Sequence, residues 1–86
     1  DSGRYEEAIA VAKKAVEQEP NDTLAYMVLS SSYQLGGRED EARAAAGEIL
    51  RINPAFSLEM LAKTTPHKDR AVAERFIEAL RKAGLK

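Results

Sequence analysis

The sequence predicts an all-α protein in which helix-turn-helix repeats stack into a right-handed α-solenoid, with about five helices and a C-terminal capping helix. The first observation is a repeat, because Gly3-Arg4 returns 34 residues later as Gly37-Arg38. Pro20 returns at the same offset as Pro54. The second observation is that small and apolar residues recur in this register, as in Ala8 and Ala42, Ala12 and Ala46, Ala15 and Ile49, and Val16 and Leu50. A period of this length is typical of helix pairs that bury a core by stacking.

The first predicted helix runs from Arg4 to Glu19, after a turn at Asp1-Ser2-Gly3. Its apolar stripe is wide enough to contact helices on two sides and comprises Tyr5, Ala8, Ile9, Ala12, Ala15 and Val16. By its position in the repeat, this helix is the second of a pair whose first helix is missing. Residues 1–22 are therefore expected to be a truncated repeat, and the chain is expected to be a piece of a longer protein. Apolar area at a truncated edge favours self-association, which predicts a homodimer.

A complete repeat is expected over residues 23–56. Its first helix carries one stripe at helical spacing, formed by Tyr26, Leu29, Ser30 and Tyr33. Ala42 and Ala46 lie four residues apart in the second helix, where their small side chains allow a close approach to the first. The Gly36-Gly37 pair between the two helices is expected to form a turn.

Residues 57–86 are expected to be a degenerate repeat followed by the capping helix. A helix that opens at Ser57 is stopped early by Thr64-Thr65-Pro66. The final helix is predicted to be capped by Asp69 and to run to Ala83, with Gly84 as its stop. Its narrow apolar stripe comprises Val72, Phe76, Ile77 and Leu80. A cap of this kind buries one face and exposes the other.

The pattern over residues 23–56 resembles a tetratricopeptide repeat. The resemblance rests on the large, large, small, aromatic order of the first-helix stripe, and on Ala42, Ala46 and Pro54. Three residues depart from the family pattern: Ser30 replaces glycine or alanine, Glu39 replaces an aromatic residue, and Gly47 lies inside the second helix. The resemblance implies a non-catalytic module that offers a surface to another protein.

The tail is similar to the C-terminus of bacterial adenylate and guanylate cyclases that carry tetratricopeptide repeats after their catalytic domain. The likeness rests on Ile52-Asn53-Pro54, Phe56-Ser57-Leu58-Glu59, Lys68-Asp69, Glu74-Arg75-Phe76, and Leu80-Arg81-Lys82-Ala83-Gly84-Leu85. Arg70 stands where that tail often has proline. This resemblance implies a docking or regulatory segment of a bacterial signalling protein.

In the tetratricopeptide family, the first helix of each repeat lines a concave groove. The matching candidate partner-binding positions are Leu24, Met27, Ser31, Gln34, Leu35, Leu58 and Leu61. This mostly apolar lining favours a hydrophobic helix or extended segment of a protein or peptide partner. Charged substitutions at Met27 and Leu58 are then expected to abolish partner capture and to preserve helicity. The alternative is a structural or oligomerisation element with no separate ligand, in which the terminal helix covers Leu24, Leu58 and Leu61.

Composition fits a small cytoplasmic domain with one core, since 44% of residues are hydrophobic and 31% are charged. The sequence shows neither a membrane span nor a signal peptide. Residues 1–62 hold eleven acids and six bases, whereas residues 63–86 hold three acids and seven bases. This asymmetry indicates either a mixed solvated surface or a basic end that meets an acidic partner or the acidic start of another copy of the chain. Nucleic acid is a poorer choice of partner, because acids are interleaved with the bases.

No residue pattern indicates an enzyme, a cofactor or a metal site. The chain has no cysteine, and its single histidine, His67, lies in a turn next to Pro66. The acidic clusters Glu6-Glu7 and Glu39-Asp40-Glu41 are expected in first helical turns, where acids stabilise the positive end of a helix. Gly36-Gly37 lacks the strand and the lysine of a phosphate-binding loop.

Overall fold

The computed structural model describes residues 2–64 and 70–86, and that part of the chain forms five α-helices without a β-strand. The helices are α1 (Ser2–Gln18), α2 (Thr23–Leu35), α3 (Glu39–Ile52), α4 (Leu58–Thr64) and α5 (Arg70–Lys82). The predicted all-α fold with about five helices is confirmed. The predicted cap at Asp69 and the turn around His67 lie outside the described residues.

The centre of the fold is α2, which packs against α1, α3 and α5, whereas α4 packs chiefly against α5. The predicted stripe of α2 faces the interior, since Leu29, Ser30 and Tyr33 are buried. Ala42 is fully buried on α3 and belongs to the same core. All five helices contribute to this core, and Leu85 joins it from beyond the end of α5. The helical members include Ile9, Met27, Leu29, Tyr33, Ala42, Ile49, Leu58 and Leu80.

A buried hydroxyl joins α2 to α3. The Oγ of Ser30 donates a hydrogen bond to the carbonyl oxygen of Ala42 at 2.8 Å, and Ser30 is fully buried. A buried hydroxyl without a partner would cost free energy, but here it is satisfied across the helix contact. The departure of Ser30 from the family pattern therefore has a structural explanation.

The end of α2 is held by backbone and side-chain contacts of Arg38. Gly37 adopts a positive φ of 84°, and the amide of Arg38 donates to the carbonyl of Tyr33 at 2.7 Å. This pattern closes the last turn of a helix, and glycine accepts the positive φ without steric cost. The guanidinium of Arg38 lies 5.8 Å from the centre of the Tyr33 ring and 2.9 Å from the Glu6 carboxylate. Arg38 thereby connects the turn after α2 to α1.

The end of α5 repeats this pattern and confirms Gly84 as its stop. Gly84 has a φ of 113°, and the amide of Leu85 donates to the carbonyl of Leu80 at 3.1 Å. Both leucines are buried, as expected when this type of helix end packs its flanking apolar residues together. The carbonyl of Lys86 then accepts the Leu58 amide at 2.8 Å, so the C-terminal residues fasten α4 to α5.

The N-terminal helix differs from the prediction. It begins at Ser2, so Gly3, expected in a turn, is helical. The first turn of α1 therefore contains no acid, and the placement of Glu6-Glu7 there was wrong, because the earlier start moves both residues further into the helix. The corresponding prediction for Glu39-Asp40-Glu41 is confirmed, since all three lie in the first turn of α3.

Candidate functional site

The seven predicted groove positions do not lie on one open surface. Met27, Ser31 and Leu58 are buried, Gln34 and Leu61 are half-buried, and Leu24 and Leu35 are exposed. The physical reason is α5, which packs on α2 and contributes Leu80 to the core cluster that contains Met27 and Leu58. The alternative prediction was that the terminal helix covers Leu24, Leu58 and Leu61. Leu58 is buried, whereas Leu24 is 63% exposed. The binding role of the seven residues stays a prediction.

An open groove lies between α2 and α5, and we call it the α2–α5 groove. It encloses about 540 Å³ and is lined by Gln34, Leu35, Ala71, Glu74, Arg75, Glu78, Ala79 and Lys82. The apolar lining comes from one leucine and two alanines, and charged side chains of both signs complete it. Glu78 is already paired, because its Oε2 accepts from Nη1 of Arg81 at 2.7 Å. The groove thus combines an apolar surface with charged groups that can orient a bound segment.

Gln34 lines this groove and carries an unsatisfied polar atom. Its Oε1 is buried and accepts no hydrogen bond from the described part of the chain. A buried acceptor without a donor costs about 1–3 kcal/mol. The Gln34 side chain is half-buried, and this oxygen has almost no surface exposed to the groove.

A second pocket adjoins the groove where α1, α2 and α5 meet, and we call it the arginine pocket. It encloses about 270 Å³ and is lined by Arg4, Tyr5, Leu35, Arg75 and Phe76. Leu35 and Arg75 line both cavities, so the two form one continuous surface.

Sequence reasoning missed four of the five residues of the arginine pocket. It assigned Tyr5 and Phe76 to apolar stripes and gave no role to Arg4 or Arg75. No local pattern could have joined them, because the two arginines lie 71 residues apart in the sequence. The packing of α5 beside α2 brings them into one pocket with Leu35.

The described part of the chain contains neither a metal-binding cluster nor a helix suited to span a membrane. Within residues 2–64 and 70–86, no group of three or more His, Cys, Asp or Glu side chains is arranged to hold a metal ion. None of the described helices is long and apolar enough to cross a membrane. Another open pocket, of about 350 Å³, lies between α2 and α3 beside Tyr26 and Tyr33.

These observations define an α-helical repeat protein with open grooves between its helices. The chain belongs to the tetratricopeptide repeat family: residues 1–64 match the family described as "Tetratricopeptide repeat". Repeats of this family generally mediate protein–protein interaction. The family match includes α1 to α4, whereas α5 lies beyond it.

A similar region occurs in a curated protein of Rhizobium meliloti (strain 1021) named "Putative adenylate cyclase 3". The two sequences are 39% identical over 44 residues, which is 51% of this chain. The matched region covers 8% of that protein's length. A search of solved structures finds no match.

Proposed function

We propose that this chain is a docking or regulatory segment of a larger bacterial signalling protein, such as a cyclase, and that it binds a protein partner through the α2–α5 groove. The family membership supports a role in protein interaction. The 39% identity to a region of the Rhizobium protein supports the signalling context. In this proposal the segment itself is not catalytic, and its cytoplasmic location remains a prediction from the sequence.

The observation that carries the proposal is the position of Leu35. It is 42% exposed, and it lies where the groove and the arginine pocket meet. An apolar side chain there gains free energy when a partner removes it from water, at about 25 cal/mol per Å² of apolar area. Gln34, next to it, has the unsatisfied acceptor. An apolar lining with a small number of polar groups beside it is the usual composition of a binding site.

Substitution of Leu35 tests this proposal. We expect Leu35→Gln to weaken the binding of peptides selected from a displayed library of random dodecapeptides by about tenfold, a loss of about 1.4 kcal/mol. Leu50→Gln is the matched control, because Leu50 is 40% exposed on α3 and lines neither cavity. Dissociation constants from fluorescence polarisation would give the comparison. The proposal fails if no peptide is selected, or if both variants bind like the unchanged chain.

A second candidate function is assembly through α1. Ala8, Val11 and Ala15 lie at helical spacing on α1, and Val11 is 69% exposed. Their counterparts 34 residues later on α3 are Ala42, Ala45 and Ile49, which are 0%, 5% and 0% exposed. Ala8 and Ala15 are half-buried, so this face of α1 is partly uncovered, whereas α3 buries the equivalent face in the core. This observation supports the predicted homodimer through the N-terminal edge.

Sedimentation equilibrium over a range of concentrations tests this second candidate. If α1 mediates self-association, Val11→Glu should shift the molar mass towards the monomer, because a dimer contact would bury an unpaired carboxylate. Ala10→Glu adds the same charge at an exposed position of α1 and should have a smaller effect. An unchanged chain that is monomeric at every concentration would contradict the assembly role.

A further inference from the structure

The arginine pocket brings two cationic side chains together beside apolar ones. Arg4 comes from α1 and Arg75 from α5, and both are exposed. Tyr5, Leu35 and Phe76 complete the lining, and the two aromatic residues are half-buried. None of the described residues that line this pocket is acidic. The pocket therefore combines a positive charge with an apolar surface.

The two arginines have no charge partner among the described residues, in contrast to three other arginines. Arg38, Arg51 and Arg81 form ion pairs with glutamates between 2.7 and 2.9 Å away. Arg4 and Arg75 form no ion pair with any residue that the structure describes. Their donors are therefore available to an anionic group that enters the pocket. A guanidinium binds a carboxylate through paired, forked hydrogen bonds.

We infer that the partner presents an acidic segment, in which a carboxylate binds Arg4 and Arg75 and a neighbouring apolar side chain packs on Tyr5, Leu35 and Phe76. The rest of the segment lies along the α2–α5 groove, which continues from the pocket at Leu35 and Arg75. This inference rests on the proposed function and specifies the chemistry of the partner. Neither arginine belongs to the groove positions predicted from the repeat pattern.

The surroundings favour a mixed acidic and apolar segment over a polyanion. Glu74 and Glu78 line the adjoining groove beside Arg75 and Lys82, so the groove carries charges of both signs, whereas the charged residues that line the arginine pocket are both positive. A nucleic-acid backbone needs an extended run of positive charge, which these glutamates interrupt. A peptide with a carboxylate at one position and an apolar side chain beside it matches the charge and the lining.

Peptides selected against the chain provide the test. We expect enrichment of aspartate or glutamate next to a large apolar residue. A selected peptide should bind at least about tenfold more tightly than its analogue with asparagine and glutamine in place of the acids. The Arg4→Gln and Arg75→Gln variants should each lose most of this difference in affinity between the acidic peptide and its amide analogue. Added salt should also reduce the difference in affinity. Arg43→Gln is the matched control, because Arg43 is exposed on α3 and has no ion pair in the described chain.

Several results would overturn the inference. If peptide binding depends on Leu35 but not on acidic residues or on the two arginines, the proposed function stands and the acidic partner is rejected. If no selected peptide depends on Leu35, the proposed function fails and the inference falls with it. If oligothymidylate binds as tightly as the selected peptides, the site recognises negative charge alone, and the mixed acidic and apolar partner is rejected. If Arg4→Gln abolishes self-association in sedimentation experiments, a second copy of the chain occupies the arginine pocket, and a separate acidic partner is rejected.

Discussion

Replacement of Leu80 by alanine is expected to lower the free energy of unfolding by about 2–5 kcal/mol. Leu80 is fully buried on α5 and belongs to the core cluster shared with α2 and α4. Its carbonyl also accepts the Leu85 amide that closes the helix end. Truncation leaves a cavity among residues that cannot all move to fill it. Small domains have a total stability of about 5–15 kcal/mol, so this loss would be a large part of the whole.

Urea unfolding followed by circular dichroism measures this effect. Leu50→Ala is the control, because Leu50 is 40% exposed and should lose much less stability. A loss below about 1 kcal/mol for Leu80→Ala would show that α5 does not stabilise the fold as its burial implies. The result therefore tests the docking of α5, on which both candidate cavities depend.

Replacement of Met27 by glutamate is expected to unfold the chain or to remove most of its stability. Met27 is 8% exposed within the core cluster, so the substitution places a carboxylate where solvent is largely excluded. An ionised group without a partner there costs several kcal/mol. Thermal unfolding and the helical signal in circular dichroism should both show the loss. This outcome differs from the sequence prediction, which expected lost binding with preserved helicity.

Two further variants separate burial from the chemistry of the substitution. Met27→Leu keeps a side chain of similar volume and should cost less than about 1.5 kcal/mol. Leu24→Glu introduces the same charge on the same helix at a position that is 63% exposed, and should be tolerated. If Met27→Glu keeps its helicity and melting temperature, α5 does not cover this face of α2, and the open groove predicted from the repeat would be restored.

The local elements of this protein could be predicted because their causes are local. The stripe of Tyr26, Leu29, Ser30 and Tyr33 follows from helical periodicity, which needs no knowledge of the rest of the chain. Gly37 and Gly84 end helices because they can adopt a positive φ, and both do so here. The start of α1 was missed by two residues, an error common at helix ends.

The candidate site shows where such reasoning stops. The repeat pattern predicted that Met27 and Leu58 line an open groove. That prediction assumed that the first helices of successive repeats pack side by side. In the structure α5, rather than α4, packs against α2, and Met27 and Leu58 are buried in the core cluster that contains Leu80 of α5. An apolar stripe indicates that a helix must be covered, but it does not identify the helix that covers it.

The sequence by itself determined the helices, the glycines that end α2 and α5, the repeat and the membership of a family whose repeats generally mediate protein interaction. Only the tertiary structure decided which face of α2 remains open and that Arg4 and Arg75 share a pocket with Leu35. The physical reason is the range of the interactions. Helical periodicity and backbone capping act within a few residues, whereas the meeting of α1, α2 and α5 depends on how distant side chains pack in three dimensions.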